Sequence, residues 1–338
     1  MKKLKKTNKT ELNMTVPKID KISIVVPIPE SHFAQIISQN VWDELKDTDF
    51  GWVQPYSKGA YNTAAKIFCP DEDGVINTKE PHMLFQIRTK GTDKPHLRIE
   101  YNPSKIPEKM YGHVDLCFPL ITGQGFLETL SHGHVTRLDV CTDILDVNPE
   151  DFMLKVKYAR YSQSVFGNDG SLETIYFGKS KGTQYTVYKK AHEQYGKEAK
   201  SDVMRVECRL RKAIPIQHLS SLENPFQRVQ FYNLKPTKQP NVHPGHWMAF
   251  VDAVRFRGSS NTALKRQPVD VRSKLKYCLS KNTFEGWKPE DLWGEAWLQV
   301  LNNHHLLQLP QAMPLTLKTA TGEDGDVDEP SNPLAKAA

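Results

Sequence analysis

The segment TIYFGKSKGTQYTVYKK, Thr174–Lys190, decides how this chain is read. Thr174 to Gly178 is rich in β-branched and aromatic residues, Lys179 to Thr183 breaks with Lys, Ser and Gly, and Gln184 to Lys190 resumes the pattern. The simplest prediction is a β-hairpin. Strand side chains alternate between faces, so Tyr188 shares a face with Thr186 and Gln184, while Tyr185 and Val187 point the other way. Lys189 and Lys190 follow at once and set positive charge beside a phenol. A phenol attacks as a nucleophile only when ionised, and an ordinary pKa of about 10 makes that depend on nearby cations or a metal. One of 12 tyrosines in a strand is otherwise simply a strand former. Two further segments raise Tyr188 above that reading.

In TRLDVCTDI, Thr136 to Ile144, Asp139 and Asp143 are four residues apart and project from one face of a strand, with Arg137 and Cys141 on the same side. Paired acids on an otherwise apolar strand are costly unless paired, hydrated or bound to a metal. In MRVECRLR, Met204 to Arg211, alternation sets Arg205, Glu207, Arg209 and Arg211 on one face and Val206, Cys208 and Leu210 on the other. Taken singly, each is an edge strand with a solvated charged face, or half of a set of Arg–Asp pairs between neighbouring strands. Taken together, Asp139, Asp143 and Glu207 are hard oxygen donors of the kind Mg²⁺ or Mn²⁺ prefers, Arg205 and Arg209 suit a phosphate, and Tyr188 supplies a nucleophile. Such a set can cleave a DNA phosphodiester by in-line attack of the phenolate and leave a 5′-phosphotyrosyl end and a free 3′-hydroxyl. The bond energy is retained, so rejoining needs no nucleotide cofactor.

The three segments, in this order and spacing, resemble the replication initiation factor family of rolling-circle plasmids and filamentous phages, the Rep-trans type, which is related to some conjugative relaxases. The resemblance covers roughly residues 95 to 215. It implies a site-specific DNA nicking and joining enzyme acting at a replication origin, with Tyr188 as nucleophile, Asp139 and Asp143 as the paired acidic strand, and Arg205 with Glu207 as the Arg-x-Glu strand. It implies a divalent metal, Mg²⁺ or Mn²⁺, held among Asp139, Asp143 and Glu207; Lys189, next to Tyr188 in sequence, joins the catalytic candidates through its charge. Arg137, Lys190, Arg209 and Arg98 are then expected against DNA. Origin DNA, host helicase and polymerase, and a second copy of the chain are the partners of that reading, with no membrane. Tyr185 and Tyr195 remain rival nucleophiles. A non-catalytic DNA-binding regulator of the same fold, and a hydrolytic nuclease using water, remain rival functions.

Leu97 to Lys105, LRIEYNPSK, is also similar to a segment of phage members. Arg98-Ile99-Glu100 echoes Arg205-Val206-Glu207, and Asp115-Leu116-Cys117 echoes Asp139-Val140-Cys141. A duplicated β unit is one reading of the echo and chance the other; Arg98 and Glu100 are expected to line the same cleft. The His-hydrophobic-His metal site of better-known rolling-circle nickases is missing, since His132 and His134 flank Gly133. That pair reads as a loop at a strand entry.

The remaining chain frames these segments. Its 338 residues suffice for one large or two ordinary domains. A net charge of +6 from 45 basic and 39 acidic residues suits a polyanionic partner. Five widely spaced cysteines without a Cys-x-x-Cys pair argue for a reducing compartment and against a structural zinc, and the lack of a long apolar run makes a soluble, cytoplasmic location the default, which the family resemblance would make that of a bacterial host. The expected class is α+β: a largely antiparallel sheet with packed helices, plus a small C-terminal helical domain. Residues 1–20 read as a basic flexible tail, 21–215 as the nicking domain, 216–246 as a linker, 247–310 as a helical accessory domain and 311–338 as an acidic tail. A helix is expected from Asn148 to about Ser162 and a strand over His113 to Phe118. In the helical part Arg255, Arg257, Lys265 and Arg266 are candidates for gripping duplex DNA.

Overall fold

The computed structural model describes residues 13–46, 51–55, 61, 63–68, 75, 81–88, 94–106, 108–190, 203–235, 239–257 and 260–309, with no side-chain description for 51–55, 108–110, 113, 116, 117 and 257. The basic N-terminal cluster, Tyr195, the acidic tail and the side chain of Arg257 therefore lie outside the described residues.

The strands are β1 (Asn13–Met14), β2 (Lys18–Pro27), β3 (Gly51–Pro55), β4 (Thr63–Ile67), β5 (Met83–Arg88), β6 (His96–Tyr101), β7 (His134–Leu145), β8 (Phe152–Val156), β9 (Ser162–Phe166), β10 (Leu172–Phe177), β11 (Gln184–Lys189), β12 (Val203–Leu210), β13 (Ile214–Pro215) and β14 (Val229–Asn233). Helix α1 (Ser31–Leu45) follows β2, α2 (Glu108–Thr122) and α3 (Phe126–Ser131) lie between β6 and β7, and α4 (Pro244–Arg257), α5 (Ser260–Lys265), α6 (Val269–Lys281) and α7 (Glu295–Asn303) end the chain. Among the described residues one antiparallel sheet runs β3-β4-β5-β6-β2-β7-β12-β11-β10-β9, with β1 and β13 added at the ends of β7. A separate ribbon pairs β14 with β8.

That order is one topology used twice. From β2 the chain travels outward and returns strand by strand, giving β2-β6-β5-β4-β3; from β7 it does the same, giving β7-β12-β11-β10-β9. The two units join where β2 pairs antiparallel with β7, and Lys21 stands directly opposite Asp139 at that junction. A local two-fold axis through this pair, perpendicular to the sheet, relates the units and keeps equivalent residues on the same face.

Alternation then separates the two faces. Ile22, Ile24 and Val26 of β2, Leu138 and Val140 of β7, and Met204 and Val206 of β12 are fully buried in one apolar cluster with residues of α1, α2, α3 and α7. Burying each such side chain contributes about 1.5–3 kcal/mol, so this face fixes the register. The opposite face carries the charged residues, as expected from the sequence.

Three expectations change. Asn148 caps only a 3₁₀ turn, Pro149–Asp151, by accepting from Glu150 N at 3.0 Å, and the predicted helix to Ser162 is replaced by β8 and β9. The reason is long-range: β14 supplies β8 with a full ladder, Val229 opposite Val156 through Asn233 opposite Phe152. The predicted strand over His113 to Phe118 lies inside α2, where Tyr111, Val114, Phe118 and Ile121 bury one helical stripe, so Asp115-Leu116-Cys117 has no strand to share with Asp139-Val140-Cys141. Within the expected helical domain, the stretch from Pro289 to Leu307, helical in pattern throughout, divides into a 3₁₀ turn, Pro289–Leu292, and α7, separated by Gly294 at φ +67°.

Residues 216–246, read as a linker, contain β14 and two 3₁₀ segments whose Ile216, Leu219 and Phe226 are fully buried in the main core. Three indoles tie the C-terminal segment to that stretch: Trp287 Nε1 donates to Val229 O, Trp293 Nε1 to Leu222 O and Trp297 Nε1 to Leu219 O. A second core, built on Trp247, Phe250, Val254, Leu264 and Leu275, lies under α4–α6 and reaches Met153 of β8. No helix among the described residues is long and apolar enough to cross a membrane.

Candidate nucleic-acid processing site

The hairpin forms as the sequence predicts. Thr174 pairs with Tyr188 and Phe177 with Tyr185, and Gly178, at φ +86°, turns the chain. Register then assembles rows across β11, β12 and β7. Tyr188 stands opposite Arg205, which stands opposite Asp143; Thr186 opposite Glu207, opposite Cys141; Gln184 opposite Arg209, opposite Asp139. The three segments singled out in the sequence are thus adjacent strands, and their charged residues share one face.

Arg205 is fixed by a fork to Asp143, Nε to Oδ1 at 2.6 Å and Nη2 to Oδ2 at 2.8 Å, with Asp20 of β2 at 3.6 Å from Nη1. Burial by itself would lower the guanidinium pKa, but the Asp143 fork raises it overall, so Arg205 stays charged beneath Tyr188. Asp139 is fully buried and receives Arg137 through Nε at 3.0 Å and Nη2 at 2.5 Å, and Arg209 through Nε at 3.1 Å. Arg209 also donates to Glu207 Oε1 at 3.2 Å. Burial pushes the Glu207 carboxyl above its ordinary value, and the Asp139 charge pushes it further.

Asp139 and Asp143 lie about 13 Å apart along β7 at roughly 3.3 Å per residue, so one ion does not reach both. Among the described residues no cluster of three His, Cys, Asp or Glu side chains is disposed to hold a metal. The two carboxylates nearest to such a site are Asp139 and Glu207, buried neighbours of which Glu207 has the raised pKa; both already accept from Arg209, and Asp139 also from Arg137, so a cation there would displace arginine contacts, and one or two carboxylates plus phosphate oxygens is how Mg²⁺ is commonly held. Asp143 is committed to Arg205.

The remaining candidates are dispersed. Tyr188 is half-buried, lines an open cleft of ≈ 480 Å³ together with Thr186, Glu207 and Arg209, and has Lys190 Nζ 5.9 Å from its ring centre. Lys189 also lines this cleft, although its ammonium lies 3.6 Å from Glu150 and not over the Tyr188 ring. Tyr185 is buried on the apolar face, donates its hydroxyl to Pro225 O at 3.0 Å and has its pKa driven up by burial, which removes it as a rival nucleophile. Arg98 lies on β6, across β2 from this site. Arg255 donates to Glu150 O at 3.0 Å and sits beside Asp252, while Lys265 and Arg266 are exposed at the end of α5. Cys141 is an inert thiol, pushed up to about 12 by burial. His132 and His134 flank a glycine whose added Cβ would meet Ile24 Cγ2 at 2.4 Å, so the His-Gly-His stretch is set by packing at the entry to β7.

Sequence reasoning missed Asp20, Lys21 and Ser23, which the pairing of β2 with both β6 and β7 brings onto the same charged surface. The alternation in KIDKIS was the available signal, obscured by a bulge between Ile19 and Lys21.

No family model matches the chain, and no curated protein matches it. A solved structure, that of a rolling circle replication initiator protein from Geobacillus stearothermophilus, is similar over 73% of this chain and 99% of that one, at 14% identity and a TM-score of 0.36. That overlap is loose, and the arrangement of this chain's strands is given by their own registers.

Proposed function

We infer that this chain nicks and rejoins one strand of DNA at a replication origin by tyrosine transesterification, with Tyr188 as the nucleophile. The observation that carries the reading is the direct opposition of Tyr188 and Arg205, with the guanidinium held by Asp143, at an open cleft shared with Glu207 and Arg209. The Tyr188 oxygen attacks phosphorus in line. The phenolic proton leaves to water in the open cleft, the bond to the 3′-oxygen breaks, and that oxygen takes up a proton as the 3′-hydroxyl. The strand stays attached through a 5′-phosphotyrosyl bond, and the reverse reaction reseals it.

Arg205 stabilises the phenolate, and Arg209 offers its guanidinium to the charge that develops on the phosphoryl oxygens. Asp139 and Glu207 would hold a divalent cation, Mg²⁺ or Mn²⁺, which when bound polarises a non-bridging phosphate oxygen. Lys190, over the Tyr188 ring, adds a positive potential that favours ionisation. Arg137 orients Asp139.

A second reading is a DNA-binding regulator without catalysis. It is favoured by the ion pairs themselves, since Asp139, Asp143 and Glu207 all have arginine partners. Incubation with supercoiled or single-stranded origin DNA and Mg²⁺ or Mn²⁺, followed by a denaturing gel, separates the two. A protein–DNA adduct that needs metal and disappears in Tyr188→Phe is expected. Binding without adduct or nick leaves the regulator, and a nick without an adduct means hydrolysis.

A further inference from the structure

We propose that the N-terminal β unit carries a second, non-cleaving site that holds a single DNA strand by its phosphates, on the same face of the sheet as Tyr188. The proposal rests on the DNA-processing reading above and adds to it a place where the strand is gripped without being cut.

The two-fold relation between the units assigns equivalences residue by residue. On β6 and β12, Arg98 and Glu100 take the places of Arg205 and Glu207. Arg98 stands opposite Gln86 on one side and Val25 on the other, as Arg205 stands opposite Tyr188 and Asp143. Gln86 is therefore the counterpart of Tyr188, Val25 of Asp143, Lys21 of Asp139 and Arg88 of Lys190. The Arg-x-Glu echo in the sequence marks the same topological position in two copies of one unit.

What changed between the copies is the chemistry. An amide replaces the nucleophile, so this site has no group to attack phosphorus. An ammonium replaces the acid beside Glu207, so this site carries its own fixed positive charge where the other would need a bound cation: Lys21 Nζ lies 3.1 Å from Glu100 Oε1. Arg98 is held flat in the site by Ser23 at 3.0 Å, Gln86 at 2.7 Å and Glu100 at 2.5 Å. Arg88, two residues along β5 from Gln86 and so on the same face, has its Nε buried without a hydrogen-bond partner. Lys21, Arg88 and Arg98 face one carboxylate here. Arg137, Arg205 and Arg209 face four around Tyr188: Asp139, Asp143, Glu207 and, from β2, Asp20. The first balance suits a phosphodiester backbone, the second a metal and a reacting phosphate.

Five strand spacings of roughly 4.8 Å separate β5 from β11, so the two sites lie about 24 Å apart across one continuous sheet face. A single strand held at both spans several nucleotides.

The test is binding of a fluorescein-labelled oligothymidylate, followed by anisotropy at several salt concentrations in chelator, so that no cleavage intervenes. The Lys21→Gln, Arg88→Gln double variant is expected to bind about tenfold more weakly and to lose about 1.4 from the log–log salt slope, at about 0.7 per phosphate contact. A charge-matched control, Lys46→Gln at the end of α1 with Lys155→Gln on β8, both outside the main sheet, keeps the parent's slope. Melting profiles report folding; if loss of the Lys21 partner unfolds the double variant, Arg88→Gln alone is read, with an expected change of about 0.7. Parent-like affinity and slope in the variants, equal weakening in the control, or no binding by the parent each overturns the second site. Weakened binding together with no tyrosine adduct on origin DNA keeps this site and removes the nicking reading.

Discussion

Glu100 and Glu207 occupy the same position in two copies of one β unit, yet their carboxyl groups are displaced in opposite directions. Burial acts on both. At Glu207 it combines with the Asp139 charge and raises the pKa; at Glu100 the Lys21 ammonium and the Arg98 guanidinium outweigh it and lower the pKa. The same fold thus presents one carboxylate short of positive charge and one amply supplied.

For Glu207 the consequence is a stability that depends on protons and on metal. A pKa raised by folding contributes stability below the unfolded value and loses it as pH rises through the folded value. In chelator at neutral pH, Glu207→Gln is expected to melt higher than the parent by about 1–3 °C, with the difference closing as pH drops below the ordinary carboxylate range. Added Mg²⁺ raises the melting temperature of the parent and leaves the variant where it was. A difference that widens in acid, or an equal response to Mg²⁺, contradicts the assignment of Glu207 as a cation ligand.

Glu100 behaves in the opposite sense. Its lowered pKa gives stability that is present above the unfolded value and lost as pH falls through the folded one. Glu100→Gln leaves Lys21 and Arg98 without their carboxylate and is expected to cost about 1–3 kcal/mol at neutral pH, read by urea unfolding. The cost shrinks toward acid, where the parent loses the same charge. A cost that does not vary with pH would mean that packing, and not charge, holds this residue.

Arg205 and Asp143 form a fork that lysine does not reproduce. Arg205→Ala strands a nearly buried carboxylate and is expected to destabilise by about 3–5 kcal/mol. Arg205→Lys keeps the charge but loses one arm of the fork, so it should fold yet form adduct more slowly, because the charge under Tyr188 is no longer held in place. Unfolding curves and single-turnover adduct formation distinguish the two effects. A lysine variant with parent rates would remove Arg205 from the chemistry.

Period-two alternation made the site's strands legible. It assigned Tyr188 and Tyr185 to opposite faces, and grouped Asp139 with Asp143 and Arg205 with Glu207, because the apolar partners Val187, Val206 and Val140 had to share the core. What alternation does not carry is pairing between distant strands. β8 looked like the start of a helix because its partner β14 begins 73 residues after Val156. Over His113 to Phe118 the Val-Asp-Leu-Cys-Phe run suggested a strand, yet the i, i+3, i+7, i+10 stripe from Tyr111 to Ile121 prevails in α2. Nor does sequence tell which carboxylates are filled by arginine, since that depends on the register between β7 and β12 and not on either strand alone.

Gly178 is the backbone condition for Tyr188's position. The residue sits at φ +86°, where an L side chain is strained, and a Cβ there would lie 2.4 Å from Thr183 O across the turn. Gly178→Ala must either open the hairpin or shift its register, and a one-residue slip would turn Tyr188 toward the apolar face and Tyr185 toward the cleft. The expected result is a loss of at least about 1–3 kcal/mol from backbone strain, seen as a lower melting temperature, with adduct formation lost in step. The companion variant Tyr185→Phe separates register from strength: it removes the hydroxyl with its bond to Pro225 O and its contacts to Cys208 and Arg228, at a cost of about 1 kcal/mol, and leaves adduct formation intact. If Gly178→Ala folds and still couples DNA to the protein, peptide mapping decides the matter. Label on Tyr188 would mean that the turn tolerates the methyl group, whereas label on Tyr185 would show that the register has slipped and that face, more than the identity of the tyrosine, selects the nucleophile.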